Sequence, residues 1–162
     1  MIDAKWNRER KSFHNAFELK ALYDHPMTIQ EILTRKDGLW QRVSDRDRIW
    51  VWTRFANQLQ LNEWLARLTE RALTKINVDP RSLAVIVAIR KNNILTKEIV
   101  DAAHAAAVPD DNVIHASYIA YLVAKVVFGD EDAVFAAVYA IAVSSSTGEA
   151  TKQIQDALEL SN

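Results

Sequence analysis

Three glycines and three prolines in 162 residues leave this chain very few places to turn. A sheet protein of that size needs many more turn residues, so the scarcity itself points to helices joined by short connections. The few punctuating residues also fall where helices begin and end. Asp79-Pro80 reads as an N-cap followed by proline at the first helical position. Thr28-Ile29-Gln30-Glu31 has the form of a capping box, Lys36 and Gly38 are placed to close that helix, and Ser44 with Asp47 repeats the box. Asp110, Asp111 and Asp130 precede apolar runs, where they complement helix dipoles, and Gly129 stands where a left-handed C-cap is wanted.

Together these signals predict helices near 5–23, 28–37, 45–60, 63–76, 80–91, 96–107, 111–128, 131–143 and 149–159. The β-branched runs Leu83–Ile89 and Val123–Phe128 also fit buried strands, but interleaved alanines and flanking caps favour helix. Small residues such as Ala84, Ala88, Ala103, Ala105, Ala120 and Ala136 would let helix axes approach closely. The expected fold is all-α: a single domain over residues 1–162, an orthogonal or solenoid-like bundle of about seven to nine helices. Ser144-Ser145-Ser146-Thr147-Gly148 reads as the loop before the last helix.

The two parts of the chain differ in kind. Residues 1–78 hold all five tryptophans (Trp6, Trp40, Trp50, Trp52, Trp64) and most of the arginines, while residues 79–162 are alanine-rich and acidic. Residues 1–96 carry 17 Lys and Arg against 11 Asp and Glu, whereas residues 97–162 carry 3 against 10. Such asymmetry fits a chain that meets a charged partner or orients its own faces differently. With no cysteine, disulfides, thiolate metal sites and cysteine nucleophiles are excluded. The opening MIDAKWNRERKSF lacks the apolar core of a signal peptide, so a cytoplasmic location is expected. The longest apolar run, Val113–Phe128, carries His115 and Lys125 and is shorter than the ~20 residues of a membrane span.

Catalytic signatures are sparse. Asp101 with His104, and Asp111 with His115, form two carboxylate–histidine pairs on consecutive predicted helices, a pattern from which a metal-dependent hydrolase could be built. The pairs differ in spacing and lack the further glutamates of helical di-metal sites, so the histidines read as packing residues, and no metal or other cofactor is expected. There is no glycine-rich phosphate loop, no His-Glu-x-x-His and no Gly-x-Ser-x-Gly elbow. A nucleic-acid-binding regulator is the other alternative: Thr28–Gly38 followed by Leu39–Trp52 superficially resembles helix-turn-helix, with Arg42, Arg46, Arg48 and Arg54 on the second helix. Asp37, Asp45 and Asp47 interleave with those arginines and dilute the positive charge a phosphate backbone requires.

The tryptophans of the 45–60 helix have separate roles. Ile49, Trp52, Phe55, Ala56 and Leu59 make one apolar stripe, which places Trp52 in the core. Trp50 projects from another side, with Arg46 and Arg54 four residues before and after it. It fits a surface cation–π stack, a contact with Phe13, Phe17 and Leu22 of the 5–23 helix, or an interface anchor.

Three segments carry a family resemblance: Asp79-Pro80-Arg81 opening a helix, the Ala102–Ala107 run around His104, and Asp132–Ala140 with its closing Ala136-Ala137-Val138-Tyr139-Ala140. In order and spacing they resemble the alanine- and histidine-rich, immunity-protein-five-like family of immunity proteins from polymorphic toxin systems. Asp132 and Phe135 stand where that family has His and Gly. The resemblance implies an all-helical, non-enzymatic protein that silences a bacterial or phage effector by binding it. The partner expected is therefore another protein, and the candidate contact residues are Trp50, Arg46 and Arg54 in the basic part and Asp111, Glu131 and Asp132 in the acidic part.

Overall fold

Three N-caps written in the sequence, Thr28, Ser44 and Asp79, are ones the helices use. Asp110, Asp111 and Asp130 lie outside the described residues, and the helix that Thr28 opens ends at Thr34 with Arg35 rather than Gly38 as its C-cap. In the computed structural model Thr28 Oγ1 accepts from Glu31 N at 3.1 Å while Glu31 Oε2 accepts from Thr28 N at 2.8 Å, closing the capping box reciprocally. Ser44 Oγ accepts from Asp47 N at 3.1 Å, and Asp79 Oδ1 from Arg81 N at 2.9 Å with Pro80 at the first turn. Gly129 takes a φ of 100° and donates its N–H to the Lys125 carbonyl, a left-handed stop that residues with a Cβ rarely adopt.

The structure describes residues 28–38, 41, 43–73, 79–91, 95–107, 114–129, 132–133, 136, 139–140 and 148–162. The expected helix at 5–23 lies outside them, as do Trp6, Trp40, Arg42 and the Ser144–Thr147 loop. Among the described residues there are seven helices and no strand: α1 (Ile29–Thr34), α2 (Asp45–Phe55), α3 (Gln58–Leu73), α4 (Pro80–Arg90), α5 (Lys97–Ala107), α6 (Ile114–Phe128) and α7 (Glu149–Ser161). Ala133, Ala136, Tyr139 and Ala140 are helical as well. Both β-branched runs are helix. No helix among the described residues is long and apolar enough to cross a membrane.

The 45–60 helix is two helices. Its stripe breaks at Ala56–Asn57, where Asn57 Oδ1 accepts from Gln60 N and Gln60 Oε1 accepts from Asn57 N, both at 2.9 Å. Asn57-Gln58-Leu59-Gln60 is thus a second reciprocal cap, and it starts α3 five residues before the sequence reading did. Leu59, assigned to the core stripe from its spacing, is 67 % exposed as a result.

α3 is the hub. It packs on α4, α6 and α7, while α5 and α6 share the most extensive contact among the described helices. The last helix α7 returns to α1, α2 and α3, unlike a solenoid, in which each unit touches only its neighbours. Trp52 and Trp64 stand at the centre of that return, 1 % and 0 % exposed, with ring centroids 5.2 Å apart. Their indole N–H groups both donate to α7, Trp52 to Ser161 Oγ at 2.8 Å and Trp64 to the Gln153 carbonyl at 2.9 Å. Ala103, Ala120, Ala124 and Ala136 are fully buried where helices approach; Ala84 and Ala105 instead face outward.

Candidate functional site

Two of the sequence-nominated surfaces are one. Trp50 on α2 lies under the Arg54 guanidinium, whose carbon is 4.5 Å from the indole ring centre. Both terminal nitrogens of Arg54 reach the Asp132 carboxylate, one at 3.2 Å to Oδ1 and the other as a short bond to Oδ2. Indole, guanidinium and carboxylate therefore form a partly buried stack that joins the basic part of the chain to the acidic part. Arg46 is exposed two turns earlier on the same helix. Asp111 and Glu131 lie outside the described residues, as does the expected contact of Trp50 with the 5–23 helix.

The same pairing recurs along α3 and α7. Arg71 bonds Glu149 and Asp156, and Arg67 bonds Asp156, Glu159 and its own-helix neighbour Glu63. Burial opposes the charge on Arg71, but its hydrogen bonds to Glu149 and Asp156 outweigh that and hold its pKa above the ordinary value. Four of the ten acids of residues 97–162, Asp132, Glu149, Asp156 and Glu159, are thus matched by Arg54, Arg67 and Arg71. That part of the charge asymmetry is complementarity within the fold.

One of the helix-turn-helix arginines is diverted fully inward, while Arg46 stays exposed and Arg42 lies outside the described residues. Arg48 is 1 % exposed and its Nη1 donates to the Ile32 carbonyl at 2.8 Å, tying α2 to α1. Burial pushes this guanidinium below its usual pKa, and Asp45 partly offsets that. The sequence reading placed Arg48 among surface cations because nothing local distinguishes it from Arg46, two residues away.

Of the two carboxylate–histidine pairs, Asp101 and His104 are exposed on α5, and Asp111 and the His115 side chain lie outside the described residues. Among the described residues no three His, Asp or Glu side chains gather as metal ligands. His104 instead lies against Tyr121 of α6, ring centres 4.6 Å apart. The stack continues from Tyr121 to Tyr118 at 5.9 Å and from Tyr118 to Tyr139 at 4.9 Å, with the Lys125 ammonium 5.7 Å from the Tyr121 ring. Burial, helped by Tyr118, raises the Tyr139 phenol above its ordinary pKa. The aromatic ladder links His104 to Tyr139, two residues from separate segments of the family resemblance.

A third surface lies on α4, where the sequence weighs Leu83–Ile89 as helix or buried strand but nominates no contact residue. α4 buries Ser82, Val85, Ile86, Ala88 and Ile89 against the bundle but presents Leu83 and Val87 outward, 42 % and 48 % exposed. A groove of about 450 Å³ runs between this ridge and α3, floored by Leu73 and Ile86 and edged by Glu70 and Arg90. A second, of about 430 Å³, lies on the Ile99 side, and Leu83, Val87 and Lys91 line both. The signal was in the sequence: apolar residues at 83 and 87 as well as at 85, 86 and 89 cannot all face one side of a helix. Comparison with protein-family models, with curated proteins and with solved structures finds no match to this chain.

Proposed function

We propose that this chain is a non-enzymatic protein-binding protein, an immunity protein or inhibitor that neutralises a bacterial or phage effector by direct contact in the cytoplasm. The observation that carries this reading is the outward apolar face of α4, since contiguous exposed apolar surface beside grooves marks a place where another protein sits. The family resemblance supports it independently, and its Asp79-Pro80-Arg81 segment starts that same helix. A nucleic-acid partner is less favoured because Arg48 and Arg54, two of the cations it would use, are engaged by Ile32 and Asp132. The packing of His104 on Tyr121 likewise favours a structural or contact role over metal ligation.

The experiment is co-expression. Each reading frame neighbouring this one in its source genome is induced in a bacterial host, with and without this chain. One frame should be toxic alone, tolerated with the chain, and co-purify with it through size-exclusion chromatography. If none is both neutralised and bound, the proposal is wrong.

A further inference from the structure

We propose that the outer face of α4 receives an amphipathic helix of the partner, whose apolar stripe is flanked by carboxylates. This rests on the protein-binding reading above and specifies the element bound. Leu83, Val87 and Lys91 are spaced four apart and form a single raised row along α4, with a groove on each side. The row covers about 12 Å of helix axis, two turns, which matches the i, i+4, i+7 anchors of one docked helix.

Charge decides between possible occupants. Arg90 at the groove edge is held by Glu70 through two 2.9 Å bonds, which raise the arginine pKa and depress that of the glutamate. Arg81 at the N-terminal end is held by its capping Asp79. Lys91 lines both grooves, is exposed, and makes no ion pair among the described residues. The uncompensated charge of the face is therefore positive, and a carboxylate beside the partner's apolar stripe would meet it. A second copy of the chain fits less well. Antiparallel pairing of two α4 helices sets Arg81 of one copy towards Lys91 of the other, and two helical turns supply little of the ~1,200 Å² that a stable dimer buries.

The test is selection of a displayed library of 18-residue helices, with Leu fixed at i, i+4 and i+7 and flanking positions randomised, against the full chain. Asp and Glu should be enriched at the flanks. The winning peptide should bind Val87→Asp at least tenfold more weakly and Lys91→Glu about three- to tenfold more weakly, and selection on Lys91→Glu should shift towards Lys and Arg. Both side chains are exposed, and circular dichroism with a thermal melt verifies that each variant is folded; Leu83→Ser serves if Val87→Asp is not.

Absence of enrichment, as when a second copy or another part of the chain already covers the face, overturns the proposal. So do basic flanks, binding indifferent to Val87→Asp, or a wild-type dimer that Val87→Asp dissociates. The co-expression assay separates the two levels: an effector neutralised equally well by Val87→Asp removes this assignment and leaves the protein-binding function standing.

Discussion

At the scale of single residues, neighbours in sequence have unrelated jobs. Trp52 is enclosed by Trp64 and α7 and donates its N–H to Ser161, whereas Trp50, two residues earlier, keeps part of its surface in solvent beneath Arg54. Trp52→Ala should cost about 3–5 kcal/mol in urea denaturation, the range for a large aromatic removed from a core. Trp50→Ala should cost clearly less, because a partly exposed indole under a guanidinium is worth only about 0.5–2 kcal/mol beyond its burial. Equal and severe destabilisation by the two would show that Trp50 is core. Arg48 makes the same point for charge: its guanidinium serves the Ile32 carbonyl, while Arg46, two residues earlier, faces water.

At the scale of elements, the ends of helices were legible because their chemistry is local. Thr28, Ser44 and Asp79 cap as their spacing predicts, and Asn57 with Gln60 caps in the same way although its signal was overridden by a continuous apolar stripe. Asp79→Ala should destabilise the protein by about 1 kcal/mol, the usual value of an N-cap. The effect should depend on pH. Hydrogen bonds from the Arg81 side chain and backbone hold the Asp79 carboxyl down at about 2. A carboxylate depressed in the folded state gives stability that is present above its ordinary pKa near 4 and is lost as pH falls towards 2. Wild-type and Asp79→Ala melting temperatures should therefore differ at pH 7 and converge near pH 2. A difference that persists at pH 2 would locate the effect elsewhere.

At the scale of the whole molecule, α7 is held by charge as much as by apolar contact. Glu149 and Asp156 are 9 % and 14 % exposed in their side chains, and both rely on Arg71. Arg71→Ala should cost about 3–5 kcal/mol, because it leaves the largely buried Glu149 carboxylate without its cation and Asp156 with Arg67 alone. Disrupting the exposed Arg35–Asp37 pair should cost far less, and that small cost should fade further in salt. Chemical denaturation of Arg71→Ala and Arg35→Ala at low and high salt checks both, and similar costs would mean that the α3–α7 network is no more than a surface one. The Trp50–Arg54–Asp132 stack predicts in turn that reversing Asp132 lowers stability, where a purely external role would change only partner binding.

The sequence alone determined the all-helical class, the positions of most described helices and the N-caps Thr28, Ser44 and Asp79. These depend on interactions within a few residues of one another, and glycine and proline scarcity leaves little alternative. It also marked Trp52 as core, because a periodic stripe is a local property. Only the tertiary structure decided that Arg54, Arg67 and Arg71 meet acids 78 or more residues away, turning an apparent pair of charged surfaces into internal ion pairs. It decided too which side of α4 is covered, since an all-round apolar helix carries no pattern that names its buried face. Spacing places side chains on a helix, but what they face depends on how that helix packs against elements distant in the chain.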